Sequence, residues 1–567
     1  SDGSNHNFSN ISVTKGTGTV TLDVNINKDI SATNINNIID KFDVASGSTL
    51  TLSYSQFNGH TGVGTGTLKL SDTSLTGTQI KSVNDASTNA IDLTNVTTIS
   101  TATMAEMLEI VNNTGATFTT AANYAVTISD TSSASDVNIV AGDTNGVVTA
   151  TIVDGAVTTT LNAIGNVATT DVITFTTTDT SVDASDLVAL KLKVDNLNVD
   201  TVNEITEVYN TANIGTVVAN ALNITGNTEK VIITGGTVSV ADINTVAGVT
   251  SGEVTATVTS AAASVLNGLT TTSTDAITMT VNAEAASAAT QASDLVSLNG
   301  KTNQVITMTA VTSVSGSYAD LLDVYVTNAA QYNGEGDEAV TITGTVTATQ
   351  ADAIADVTSG VVTATINADT AAALNSALSD AQVNAYTLTI NGSSATASDI
   401  TSLDNKTSGS ITLSGTSMTI TVASGETLDL SGVTNSLSGT LTINDSIGDN
   451  NIKGTSANDT LTLSSGNDTI NLGAGDDTIN VTNMSDLTSA DIITDTSGID
   501  TLNINGSGTI ASSDFNVSGF EYLNLSTGAD VVTFTDKSSF DTFKSKFSSA
   551  IDTKGGDDEF KFSSAIT

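Results

Sequence analysis

The 567-residue chain contains no cysteine, no proline and no tryptophan, and all 16 of its basic residues are lysine. Each absence excludes something. Without cysteine no disulfide can staple the fold, so cross-linking falls to packing or to metal. Without proline there are no slow X–Pro isomerisation steps and no missing ladder donors, which suits a long hydrogen-bonded array that folds quickly after export. Without arginine, and with 60 acidic residues setting the net charge at −44, the chain lacks the basic clusters that nucleic acid and anionic membranes require. Neither nucleic-acid binding nor membrane insertion is therefore expected. No stretch approaches the ~18 consecutive apolar residues of a spanning helix. The sequence opens on Ser1 and shows neither a charged n-region nor an apolar h-region, so a processed, excised or otherwise exported chain is expected.

What is present is a β-forming alphabet. Apolar residues make up 38% of the chain, aromatics only 4%, and there are 45 glycines. That apolar content argues against disorder despite the charge. Val, Ile and Thr alternate in runs such as Val340–Gly344 and Val361–Ile366, the pattern of half-buried strands. Small side chains predict thin, closely stacked layers.

The middle of the chain repeats. The stretches 236–259 and 344–367 are near-copies of each other, with a weaker copy at 129–153. Asp136, Asp186, Asp242, Asp294, Asp352 and Asp399 mark the phase, giving a unit of about 54 residues, doubled into one of about 107. In the clearest copy the pattern predicts a strand at Ala339–Ile342 and a helix opening at Thr349 with Asp352 in its first turn, where the helix dipole favours acid. A strand at Val361–Ile366, a helical turn after Asp369 and a strand at Tyr386–Ile390 follow. Asn34–Asp40 resembles the helical element of the repeat. Two architectures fit: a solenoid whose coils bury their faces against neighbours, or a string of separate β-sandwich domains. The unit is short for a sandwich of ~100 residues, which favours the solenoid.

Near the C-terminus the phase locks to nine. Gly454–Thr462, Leu463–Asn471 and Leu472–Asn480 place Asp459, Asp468 and Asp477 at equivalent positions of successive nine-residue units, each followed two residues later by Leu461, Ile470 or Ile479. Six residues can form a glycine-permitted turn with inward carbonyls, and three a short strand whose apolar residue fills the core. The block resembles the repeats-in-toxin (RTX) family, whose unit is G-G-x-G-x-D-x-U-x. The resemblance implies a parallel β-roll with two units per coil, in which Asp carboxylates and turn carbonyls hold several calcium ions. It pairs Asp459 with Asp477, and Asp468 with the next in-phase acid, Asp486. The leading double glycine is lost in all three units. Gly466, Gly473 and Gly475 survive, the first unit carries Ala457, and the preceding one has Asn450 where Asp is usual. The metal ligands expected are thus Asp459, Asp468, Asp477 and Asp486 with Gly466, Gly473, Gly475 and Asn450. Asp500, Asp530 and Asp558 are weaker candidates in isolated G-x-D-x-U matches.

The fold expected is all-β with short helices: a β-solenoid array followed by a parallel calcium β-roll. Its divisions are 1–125 (degenerate β-rich repeats), 126–440 (array), 441–500 (calcium roll) and 501–567 (eroded roll). The resemblance further implies calcium-coupled folding outside the cell and type I secretion. Composition and architecture together resemble the RTX-type surface-layer (S-layer) proteins of Gram-negative bacteria. That implies a structural, non-enzymatic protein at the bacterial cell surface whose partners are other copies of itself and a cell-surface polysaccharide. An RTX adhesin or matrix fibre is the alternative, and a secreted hydrolase a further one. Against catalysis, His6 and His60 are the only histidines and read as solvated loop residues, so H-E-x-x-H is impossible; G-x-S-x-G is absent too.

Overall fold

A computed structural model of the chain describes residues 17–31, 39–209, 213–285 and 288–563. His6 and most of the Asn34–Asp40 segment lie outside the described residues. The chain divides into two units: residues 1–259 with 269–278 and 301–303, and residues 260–268 with 279–300 and 304–567.

The first unit is built of parallel sheets whose neighbouring strands come from successive coils. Val126 stands beside Val148, Thr149 beside Val172, and Ile205 beside Val231. One coil therefore takes up a little under half of the sequence period. Short helices return the chain from one strand to the next. Their starts are encoded locally: Ser133, Asp183 and Ser239 each accept the N–H of an acid three residues on, namely Asp136, Asp186 and Asp242. An N-cap of this kind stabilises a helix by ~1 kcal/mol, and the acid in the first turn complements the dipole.

The second unit continues the same scheme on its own sheets. A seven-stranded parallel sheet runs from Thr290–Gln291 to Val433–Leu437. Val340 pairs with Val362, Thr363 with Ala385, Leu388 with Ile411 and Ile411 with Val433. Among the described residues every named strand pairing is parallel, which the sandwich alternative, antiparallel by construction, cannot produce. The expected strands form at Ala339–Val346, Val362–Ile366 and Ala385–Ile390, and the second helical turn at Ala371–Ala377.

One detail differs. The helix expected at Thr349 is Ala348–Ala355, capped by Thr347 with Gln350 closing a capping box, so Asp352 lies past the first turn. Its carboxylate instead braces the following coil, accepting the N–H groups of Ser379 (2.7 Å) and Asp380 (3.1 Å).

The core is a single thin layer. Strand residues Val340, Ile342, Val362, Ala364, Leu388 and Ile390 pack with helix residues Ala351 and Ile354, all almost fully buried. Each large aliphatic side chain so buried stabilises the fold by about 1.5–3 kcal/mol. Stacking also leaves backbone donors at the first residue of each strand, and a buried polar side chain from the next coil receives them. Val148 and Val254 donate to Asp171 and Asp275 in the first unit. In the second, Val362 donates to Asn384 (2.9 Å) and Tyr386, the second residue of its strand, to Thr407 (2.9 Å).

Beyond Lys406 the helices give way to a second strand per coil until Lys537–Ser545. An eight-stranded sheet ending at Phe547–Asp552 and a five-stranded sheet from Thr427–Asp429 to Val517–Ser518 then carry the chain. Here the coil shortens to two repeat units, with Asn451 beside Thr469 and Thr460 beside Thr478. This is an all-β, parallel solenoid and roll with short helices.

Candidate calcium-binding roll

In these shorter coils the polar ladder becomes a ladder of aspartates. On one edge the Asp459 N–H donates to Asp477 Oδ1 (2.6 Å), the Asp477 N–H to Asp500 Oδ1 (2.8 Å) and the Asp500 N–H to Glu521 (2.9 Å). On the other edge Asn450 donates to Asp468 Oδ1 (2.8 Å), and Asp468 to Asp491 Oδ1 (2.8 Å). Asp459, Asp468, Asp477, Asp491 and Asp500 are all essentially inaccessible to solvent. The apolar residue two positions after the first three of them, Leu461, Ile470 or Ile479, is fully buried between the two sheets. That alternation is what turns each carboxylate into the turn.

The expected pairing of Asp459 with Asp477 is thus present, and Asp468 stacks on Asp491 in place of Asp486. Asp486 ends a 3-10 turn, Met484–Asp486, and its carboxylate accepts from Asn483 N–H (3.2 Å) and Nδ2 (2.9 Å). The cause is an insertion in the connection after Thr478–Val481. Asn451 pairs with Thr469, but Thr469 pairs with Ile492, a longer step along the chain. Asp491 has the signature that marks the other ligands, an Asp followed two residues later by a buried aliphatic, Ile493. The slip in coil length hides it from a strict nine-residue phase.

The buried aspartates fall into two kinds. Asp459 is capped by Thr455, whose N–H (2.6 Å) and hydroxyl (3.0 Å) both reach Oδ2. Asp491 is capped by Thr488 and Asp530 by Ser526 in the same way. Asp468, Asp477 and Asp500 instead each leave one buried oxygen, Oδ2, without a hydrogen-bond partner, and so do Asp445 (Oδ1) and Asp495 (Oδ2). Local sequence explains the difference. Gly473 precedes Asp477 by four positions and has no hydroxyl. Ser464 and Thr496 hold the equivalent place before Asp468 and Asp500, but their N–H groups go to Asp445 (3.0 Å) and Asp495 (2.6 Å).

An ionised carboxylate oxygen stranded in a protein interior costs several kcal/mol. Burial pushes Asp477 up to about 8, Asp445 and Asp495 up to about 7, and Asp468 up to about 6, neighbouring carboxylates adding to the effect. Asp459, raised by burial alone, reaches about 6. Carboxylate oxygens of Asp477, Asp495 and Asp500 lie within 4.8 Å of one another. Anionic oxygens so close, buried and unpartnered fit a hard divalent cation with an all-oxygen shell.

Glycine makes the cradle. At Gly475 φ is +123°, and an added Cβ would sit 2.6 Å from the Ala457 carbonyl carbon. At Gly498 φ is +147°, and a Cβ would overlap the Gly475 carbonyl oxygen. At Gly466 and Gly473 a Cβ would lie 2.4 Å from the carbonyl oxygens of Gly448 and Thr455. Only a bare backbone lets the turns stack this closely.

The other candidates separate by the same criterion. Asn450 spends its amide on Ala423 O (2.9 Å) and Gly425 N–H (3.1 Å). Asp530 receives Gly508 N–H and both Ser526 donors, while half-buried Asp558 accepts the Asp530 N–H (2.9 Å). Asp445 and Asp495 were not foreseen, because each replaces the glycine that opens the repeat unit. The available signal was a glycine three positions on, Gly448 or Gly498. His60 also differs from expectation. It is 9% exposed, its ring stacks near Phe42 (5.4 Å), and its Nδ1 lies 3.1 Å from the Phe57 carbonyl.

Residues 446–479 match the family model of the RTX calcium-binding nonapeptide repeat (4 copies). No curated protein matches the chain. The repeats bind calcium, and they imply a secreted or extracellular protein. Asp468, Asp477 and Asp500, with Asp445 and Asp495, are the residues that would hold the ion, which would supply the positive charge their stranded oxygens lack. No helix among the described residues is long and apolar enough to cross a membrane.

Proposed function

We propose that this chain is a structural, non-enzymatic building block of a bacterial surface layer, folding in extracellular calcium and tiling through contacts with other copies of itself. The observation that carries this reading is that sequence repeats share sheets. The seven-stranded sheet runs unbroken across repeat borders from Thr290–Gln291 to Val433–Leu437. An adhesin built of independent domains of ~100 residues would close its sheets within each domain. Strands shared between repeats favour one continuous surface over a flexible string of beads. Ile447, Ile492 and Ile499 add apolar contacts on the calcium roll, each at least half exposed on an otherwise acidic protein. His60, wedged against Phe42 and backbone carbonyls, offers little to a substrate. A cell-surface polysaccharide is the proposed anchor.

Electron microscopy of the purified chain in millimolar calcium, and again in chelator, tests the reading. Ordered two-dimensional sheets that dissolve in chelator are expected. Fibres or monomers in calcium, with no sheet at any protein concentration, would transfer the assignment to the adhesin.

A further inference from the structure

The stranded carboxylate oxygen that marks the calcium roll recurs in one other place. Outside residues 445–500, the buried carboxylate oxygens without a partner among the described residues belong to Glu335 (Oε2) and Glu338 (Oε1). Both lie in the turn Gly334-Glu-Gly-Asp-Glu338, far ahead of the RTX block and outside its motif.

Glu338 stands immediately before the strand Ala339–Val346, the position at which other coils carry a satisfied buried polar group. Asp275 there has both oxygens occupied, by Val254 N–H and by Thr272. Asn384 receives Val362 N–H and gives its amide to Tyr386. Glu338 is fully buried, but only Oε2 is used, accepting Gly336 N–H (2.8 Å) and the Tyr325 hydroxyl (3.2 Å). Those two donors hold the carboxylate by one oxygen, between the Gly336 backbone and Tyr325. Tyr325 reaches it from a single π-helical turn, Asp323–Thr327, an irregularity that often accompanies function. Its phenol is raised well above its ordinary value by burial and then by the negative charge of Glu338, Glu335 and Asp337. No described lysine forms an ion pair with any of the three.

We propose that Glu335 and Glu338 bind a calcium-class divalent cation at this turn, a site separate from the RTX roll. The cation meets both stranded oxygens, Asp337 adds charge from the exposed side, and water and backbone oxygens complete the shell. Tyr325 is a positioning residue that holds Glu338 in place.

The test counts ions on the full chain by equilibrium dialysis with calcium. The Glu335→Gln/Glu338→Gln variant is expected to bind about one ion fewer per chain than wild type, with an unchanged circular dichroism spectrum in calcium. An unchanged ion count overturns the proposal. Asp477→Ala, measured alongside, removes ions from the roll, so failure of one site is separable from failure of the other. Should the double variant not fold, Glu335→Gln alone is read through terbium luminescence excited through tyrosine, in a chain free of tryptophan. Terbium binding about tenfold weaker for the component abolished by Tyr325→Phe supports the site. Unchanged terbium binding, or no component that depends on Tyr325, overturns it.

Discussion

Replacing Asp477 by Asn should stabilise the calcium-free fold and lose much of that gain when calcium is present. In the calcium-free fold this carboxyl is pushed up to about 8, by burial first and then by Asp459, Asp495 and Asp500. In the unfolded chain it titrates near the ordinary value of 3.8. At about pH 7.5 the unfolded chain is ionised while the folded one must take up a proton or strand a charge. At about 1.36 kcal/mol per unit, that difference costs the calcium-free fold on the order of 4–5 kcal/mol. Asn removes the charge, keeps an acceptor for the Asp459 N–H (2.6 Å in wild type), and presents an amide donor towards Asp495 and Asp500. The variant should therefore be more stable than wild type in chelator by several kcal/mol. In millimolar calcium it loses an anionic ligand. If affinity at that site falls ten- to a hundredfold, calcium stabilises the variant less than wild type by about 1.4–2.7 kcal/mol, and its advantage narrows to roughly 1–4 kcal/mol. Urea unfolding followed by far-ultraviolet circular dichroism, with calcium and with chelator, reads both arms. Where chelated wild type is already unfolded, the first arm becomes recovery of structure in the variant. A variant less stable than wild type under both conditions would refute the claim that the stranded oxygen is there for the cation.

Three further outcomes follow from the same geometry. Because Asp445, Asp468, Asp477 and Asp495 are raised on folding, their penalty is absent below about pH 4 and grows as pH rises through 6 to 8; acidifying the chelated protein from about pH 8 to 5 should raise its urea midpoint, whereas in limiting calcium the same change should weaken ion binding. Thr455→Val removes a hydroxyl donor from Asp459 and frees a buried oxygen, so stability in chelator should fall by about 1–2 kcal/mol, with part of the loss recovered in calcium. Gly475→Ala forces a side chain onto a backbone at φ +123° and into Ala457; calcium titrations should show a loss well beyond the ~1 kcal/mol expected for Gly425→Ala, where φ is +76° and no atom lies within 4 Å.

Much of the architecture was legible because it rests on local patterns. Alternating Val and Thr marked Val362–Ile366, and the phase-marking Asp136 and Asp242 fall in the first turns of their helices. The nine-residue phase placed Asp459 beneath Asp477 and put Leu461, Ile470 and Ile479 in the core. It failed at Asp486 because a phase presumes constant coil length, and the chain lengthens its coil before Asp491. It passed over Asp445 and Asp495 because a consensus names glycine there, whereas a carboxylate can present oxygen from the same corner. The burial of His60 depends on Phe42, on the paired strand of the preceding coil, and that of Glu338 on Tyr325. Such contacts come from stacking and have no short-range trace.

The two kinds of buried aspartate have a wider consequence. Asp459, answered by the Thr455 hydroxyl four positions earlier, and Asp477 and Asp500, left open, occupy the same backbone ladder. Whether a turn demands an ion is thus decided by where the residue four positions earlier sends its donors: Thr455 gives them to Asp459, whereas Thr496 gives its N–H to Asp495 and leaves Asp500 open.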